Sequence, residues 1–206
     1  QSSYVLNSGY YGNYPIWFSD YGSLKNEYSS LEQITEVIIL NQIQPKYVSN
    51  LFNQFDKVEK ITNLNLMDTS IVTDMRYMFS YCKALTTLDL TNFDTSNVTT
   101  MERMFSYCQN LVSVNLSSFK TDKVTDMNGM FLKCSSLKEL DISNFQTKKL
   151  KEMNFLFAEC LSLTKLNLPN FNTYISSMKN IFKGCSGELK RKIKNQNKNL
   201  KEEAFS

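Results

Sequence analysis

Cysteine is the residue type in this chain with the clearest chemical potential, because thiols form disulfides and thiolates bind metals. The five cysteines follow one another at intervals of 26, 26, 26 and 25 residues, and no two form a Cys-x-x-Cys pair. A zinc site needs such close pairs or histidines, and the chain contains 0 histidines. The spacing therefore predicts a column of buried free thiols: Cys82, Cys108, Cys134, Cys160 and Cys185.

Catalytic groups are sparse in this sequence. Without histidine, the Ser-His-Asp and Cys-His nucleophile systems and an imidazole pH switch are excluded. The 6 glycines form no phosphate-binding loop. Asp89 and Asp141 share a repeat position that Asn115 and Asn167 occupy in the intervening repeats, which indicates a solvated polar row rather than an acid/base pair. We predict no enzymatic activity, no cofactor and no metal.

The interval between the cysteines recurs in other residue types, which predicts a repeat architecture. The motif Met-Phe-x-x-Cys begins at Met78, Met104 and Met130, and degenerate copies begin at Leu156 and Ile181. Three further columns of methionine, phenylalanine and threonine keep nearly the same step: Met75, Met101, Met127, Met153 and Met178; Phe93, Phe119, Phe145 and Phe171; Thr69, Thr95, Thr121, Thr147 and Thr173.

Each repeat combines two hydrophobic periods. The alternation of Leu88 and Leu90 predicts a short strand, and the three-to-four spacing of apolar residues over 98–111 predicts a helix. Stacked strands lie about 4.8 Å apart and packed helices about 8–10 Å apart. We therefore predict an α/β repeat solenoid, a curved leucine-rich-repeat horseshoe with short parallel strands on its concave side and helices on its convex side. In that arrangement the cysteines are too far apart for disulfides.

The threonine column precedes each predicted helix. A hydroxyl at Thr95 or its equivalents is placed either to cap that helix or to form a stacked ladder between repeats.

At this point the sequence resembles a known family. The segments 88–101 and 104–108, and the segment 68–75, are similar to the repeat of BspA-like leucine-rich-repeat surface proteins, over about residues 51–187. The resemblance implies a secreted or cell-anchored protein that is adhesin-like, and it brings no catalytic residues. This chain shows no lipoprotein cysteine, wall-anchor motif or membrane helix of the kind that would anchor it.

The two ends of the chain differ from its middle. We predict a tyrosine-rich N-terminal cap over 1–48, a repeat region over 49–187 with about five to six 26-residue repeats, and a basic C-terminal helix or tail over 188–206. The aromatic residues of the first segment either cap the repeats or bind a partner. The basic residues of the last are either solvated or bind an acidic surface. The candidates at the two ends are Tyr10, Tyr11, Tyr14, Trp17, Lys190, Arg191, Lys192 and Lys194.

Net charge and hydropathy exclude other partners. A net charge of +3 is too small to favour nucleic acid or a membrane surface. The longest aliphatic run, 37–40, is far shorter than the roughly 20 residues of a membrane span. No basic-then-apolar signal segment opens the chain.

These observations favour a binding function. We expect a non-catalytic protein-binding module at the cell surface or outside the cell, with host, matrix or neighbouring proteins as partners. The alternative is a structural subunit of a larger assembly or filament. On the concave face the candidate contact residues are Asp89, Asn115, Asp141 and Asn167, although the small polar side chains there lack aromatic or arginine anchors.

Overall fold

A computed structural model describes residues 2–6, 10–11, 14–15, 34–171 and 175–206. The strands are β1 (Ser2–Leu6), β2 (Tyr10–Tyr11), β3 (Tyr14–Pro15), β4 (Ile34–Ile39), β5 (Lys60–Thr62), β6 (Thr87–Asp89), β7 (Ser113–Asn115), β8 (Glu139–Asp141) and β9 (Lys165–Asn167). In the described part of the chain, the α-helix α1 (Gly187–Gln196) follows them, and 3₁₀ turns lie at Leu64–Leu66 and Glu202–Ala204.

The strands pair mostly in parallel between successive repeats. β4 lies between β1 and β5, β6 pairs with β7, and β8 pairs with β9. The register places Leu88 opposite Val114 and Leu140 opposite Leu166. Isolated parallel bridges continue the same stacking from Asp74 through later repeats to Ser177. The chain is thus a repeat protein whose repeats stack in register.

A single core runs through the stack and consists of columns of like side chains. The phenylalanines of the Met-Phe-x-x-Cys motif and their equivalents stack ring on ring, with centroids 5.3–5.8 Å apart. A second stack, Phe119 on Phe145, lies at 6.5 Å. The first column comprises Phe52, Phe79, Phe105, Phe131, Phe157, Phe182 and Phe205.

The prediction of helices on the convex side is wrong. Over residues 98–111 and their equivalents, the chain forms consecutive turns instead of an α-helix. Alternate amides bond within the turn, as Met104 N–H does to the Met101 carbonyl at 3.2 Å. The amides between them bond to the next repeat, as Phe105 N–H does to the Met130 carbonyl at 2.9 Å. Because the amides of residues 103–108 all donate either within the turn or to the next repeat, none is left to donate an i→i−4 helical bond.

Left-handed backbone makes this arrangement possible. Each turn segment has two residues with φ near +60°, four positions apart, such as Tyr77 (56°) and Tyr81 (60°). Consecutive turns bury an apolar side chain every three to four residues, which is also the spacing of a helix. The apolar spacing alone therefore does not distinguish consecutive turns from a helix.

The loss of the helices removes the reason for horseshoe curvature. Backbone hydrogen bonds of 2.7–3.1 Å join neighbouring repeats on the turn side, as ladders do on the strand side. Repeats are therefore not held 8–10 Å apart by helix packing. Of the two roles predicted for the threonine column, helix cap and ladder between repeats, the structure has the ladder. Thr95 Oγ1 donates to the Lys120 carbonyl at 2.9 Å and accepts from Lys120 N–H at 2.7 Å.

The C-terminal segment packs onto the last repeat. Helix α1 begins at the Ser186 cap, whose hydroxyl accepts from Leu189 N–H at 3.2 Å, and it buries Leu189 and Ile193. Beyond it, Phe182 N–H donates to the Ala204 carbonyl at 2.9 Å, and Phe205 stacks on Phe182 at 5.3 Å. Residues 203–205 therefore cover the end of the phenylalanine column, and the expectation of a solvated tail is wrong there.

Of the helices in the described part of the chain, none has the length and apolar character that crossing a membrane requires.

Candidate functional site

The outward side chains of β6, β7, β8 and β9 form one surface, here called the strand face. A shallow groove of about 350 Å³ lies on it along β7, β8 and β9. Asn115, Asp141 and Asn167 contribute to it, and Asp89 lies at the equivalent position of β6. The structure thus brings together three of the four residues predicted for this face, and places the fourth beside them. The complete lining is Ser113, Val114, Asn115, Glu139, Leu140, Asp141, Lys165 and Asn167.

The polar groups of the strand face bond mainly to one another. Asn167 Nδ2 donates to Asp141 Oδ2 at 2.8 Å, and Lys165 Nζ lies 3.2 Å from Glu139 Oε2. The Ser143 hydroxyl, followed by Asn167 and the Ser143 amide, lowers the pKa of Asp141. These exposed pairs satisfy their own hydrogen-bonding groups, so a ligand gains little by replacing them.

The strand face has one discontinuity. β7 and β8 are neighbours, yet they do not form a ladder like those of β6–β7 and β8–β9. Val114 is only half-buried there, whereas Leu88 and Leu140 are buried. The groove lies at this interruption.

The other predicted site residues lie at the ends of the chain. Tyr10, Tyr11 and Tyr14 belong to the antiparallel pair β2–β3, and Trp17 lies outside the described residues.

All four basic residues lie on α1. Lys190 Nζ donates to the Phe205 carbonyl at 3.2 Å, and Lys194 Nζ pairs with Glu202 Oε1 at 2.7 Å. Arg191 and Lys192 are exposed.

A second surface, which the sequence reasoning missed, lies where the turns meet solvent. We call it the turn edge, and it consists of Tyr77, Tyr81, Arg103, Tyr107 and Lys133. All five have left-handed backbone, with φ between 51° and 63°. The rings of Tyr81 and Tyr107 stack at 4.3 Å, and Lys133 Nζ lies 4.7 Å from the Tyr107 ring centre.

Contacts with neighbouring residues hold the turn edge in place. The Tyr77 hydroxyl donates to Glu102 Oε1 at 2.9 Å, and the Arg103 guanidinium lies 5.9 Å from the Tyr77 ring centre. Burial, followed by the bond to Glu102, raises the pKa of Tyr77. Gly129 has φ +57°, and a Cβ there would lie 3.2 Å from Arg103 Cγ. Glycine at this position therefore leaves room for the arginine stem.

A signal for the turn edge was present in the sequence. Tyr81 and Tyr107 occupy the position just before the motif cysteine, where Gly184 stands in the last copy. Likewise Gly129 shares a column with Tyr77 and Arg103. Glycine alternating with large residues in one column indicates left-handed backbone. The prediction of a helix left this signal unused, because a helix has no position with left-handed backbone.

Each cysteine directly follows a residue with left-handed backbone and is a buried free thiol. Each donates to a carbonyl of the preceding repeat, as Cys108 Sγ does to the Phe79 carbonyl at 3.1 Å. Burial raises the pKa of Cys108 to about 12 and that of Cys185 to about 11. Such thiols stay protonated and are poor nucleophiles. Among the described residues, no three ligand-type side chains gather in a way that would hold a metal ion.

Stacked parallel strands and a recurrent turn segment define a repeat protein. Residues 24–114, 46–164 and 82–196 match the family described as "Mycoplasma protein of unknown function, DUF285". The chain belongs to this family, and the three overlapping matches are what internal repetition produces. No curated protein and no solved structure matches the chain.

Proposed function

We propose that this chain is a non-catalytic protein-binding module, built as a solenoid and related to BspA-like leucine-rich-repeat proteins of the cell surface or extracellular space. One observation carries the proposal. The repeats commit their interior columns to a shared core and present outward residues at a fixed interval on two surfaces, the strand face and the turn edge. Extended regular surfaces of this kind are what repeat proteins use to bind partners.

A structural subunit of an assembly is the alternative, in which the ends of the stack join neighbouring copies. At the C-terminal end, residues 203–205 cover the phenylalanine column, with Phe205 stacked on Phe182. This cover opposes end-to-end stacking there and favours the binding module.

Two measurements test the proposal. Light scattering over a wide concentration range should find a monomer, and the immobilised chain should retain specific proteins from a surface extract of its source organism. A concentration-independent oligomer that retains nothing would instead support the assembly subunit. Turnover of a substrate by the purified chain would overturn the non-catalytic assignment.

A further inference from the structure

The turn edge carries the side-chain types that contribute most to protein–protein affinity. Tyrosine and arginine are enriched among the residues whose truncation costs the most binding energy. Three tyrosines, an arginine and a lysine lie together there, whereas, among the described residues, no aromatic or arginine side chain lines the groove of the strand face. Resting on the proposed function, we infer that the turn edge binds a segment of a partner protein in which isolated acidic side chains stand among apolar ones.

The cations of the turn edge supply the charge complementarity. Within the described part of the chain, neither Arg103 nor Lys133 belongs to an ion pair. Each lies over a tyrosine ring, Arg103 over Tyr77 and Lys133 over Tyr107. The ring faces restrict both cations without neutralising them. A carboxylate bound between them would gain charge-assisted hydrogen bonds, and the guanidinium can bind it through two N–H groups.

The backbone fixes where these side chains lie. Tyr81, Tyr107 and Lys133 have left-handed backbone, and Gly184 occupies the same column in the last repeat. Left-handed residues recur in every turn segment, so the conformation belongs to the fold. What distinguishes the turn edge is the kind of side chain that these positions carry.

An exposed aromatic ring lies two repeats beyond Arg103 in the same column. Phe155 has φ +56°, occupies the next position of the column after Gly129, and is 40% exposed. Tyr81 is 36% exposed. An apolar side chain of the partner can pack against these rings while its acidic neighbours reach Arg103 and Lys133.

Nearby carboxylates favour a protein segment over a uniformly charged polymer. Glu102 accepts the Tyr77 hydroxyl, and Asp126 lies close enough to Glu102 and Glu152 for their charges, after its own burial, to raise its pKa. A sulfated polysaccharide would meet this negative charge along its length and find only two cations. A peptide carries only a few carboxylates, and these can contact the two cations while its uncharged residues lie near the negative charge.

The test uses a phage-displayed library of random dodecapeptides and the full chain. Retained peptides should be enriched in Asp and Glu next to apolar residues. For the best retained peptide, Arg103→Gln with Lys133→Gln should raise Kd by at least about tenfold, because the charge-assisted bonds are lost. The charge-matched control, Arg191→Gln with Lys192→Gln on α1, should change Kd by less than about twofold.

A second pair of variants tests the rings. Tyr81→Gly with Tyr107→Gly removes both side chains at positions where glycine fits the backbone, so the fold should persist in urea melts. Peptide affinity should fall by about tenfold or more. Asn180→Gly removes a side chain from the same kind of left-handed position outside the turn edge. It should leave affinity unchanged.

Three results would overturn the inference. If the double variant at Arg103 and Lys133 and the double variant at Arg191 and Lys192 weaken peptide affinity equally, the peptide binds by general charge attraction. Dextran sulfate that displaces the peptide and binds through Arg103 and Lys133 more tightly would assign the surface to a polysaccharide. Failure to select any peptide, while the chain still retains proteins from the surface extract, would refute this inference and leave the proposed function standing.

Discussion

The strand face and the turn edge repeat at the same interval but differ in backbone conformation and in chemistry. On the strand face, extended residues alternate inward and outward, and the outward positions hold polar groups such as Thr87 and Asn115. On the turn edge, left-handed residues turn large side chains such as Tyr81 and Tyr107 toward solvent. The strand face follows local preferences, while the turn edge departs from them. Departure from local preference is where function is expected.

The largest expected effect is a loss of stability at alkaline pH, caused by the buried thiols. An unfolded thiol ionises near pH 9.0, while the pKa of folded Cys108 is about 12. Above pH 9 the unfolded chain therefore binds fewer protons than the folded one, and stability falls by about 1.4 kcal/mol per pH unit for this thiol. The other four buried thiols act in the same direction.

Urea unfolding at about pH 8 and about pH 10.5 measures this loss. Cys108→Ala should show a shallower decline, because one ionising group is missing. An identical slope for both proteins would contradict the assigned burial.

Truncation of the two phenylalanine columns should affect stability unequally. Phe105 is fully buried and stacks on Phe79 and Phe131, so Phe105→Ala should cost about 3–5 kcal/mol. Phe119 lies in the wider second stack, and Phe119→Ala should fall at or below the lower end of that range. Equal losses in denaturant melts would show that the two sides of the core pack alike.

Glycine and valine substitutions should have opposite relative effects on stability at the two surfaces. At Tyr81, with φ 60°, glycine relieves the left-handed backbone, so Tyr81→Gly should be more stable than Tyr81→Val by about 1–2 kcal/mol. At Thr87, in strand β6, the free energy of unfolding of Thr87→Val should exceed that of Thr87→Gly by up to about 1 kcal/mol. Thermal or urea unfolding of the four variants is the measurement. The same order at both positions would place helix or strand at the turn edge.

The smallest expected effect concerns binding at the strand face. Asp89→Lys with Asp141→Lys alters exposed groups that bond mainly to their neighbours, and should change the affinity for a captured partner by less than about twofold. If this variant loses binding while the variant Arg103→Gln with Lys133→Gln binds normally, the binding site lies on the strand face.

The strands of the repeats, the core columns and the repeat interval were readable from the sequence. Leu88 and Leu90 alternate with a period that only a strand has, and the Phe105 and Cys108 columns are buried as predicted. Of the candidate contact residues, Asn115, Asp141 and Asn167 lie together because they occupy one strand position in successive repeats. Their role in binding stays a prediction.

The turn edge and the C-terminal cover depended on tertiary structure. An apolar spacing of three to four suits both a helix and a chain of turns. The choice between them rests on where the carbonyls find donors, and here neighbouring repeats supply those donors. The place of Phe205 on Phe182 likewise depends on the path of the chain after α1, which no local pattern encodes. The sequence by itself determined what repeats and what is buried. Contacts between repeats decided the backbone that joins the buried columns, and with it the side chains that face a partner.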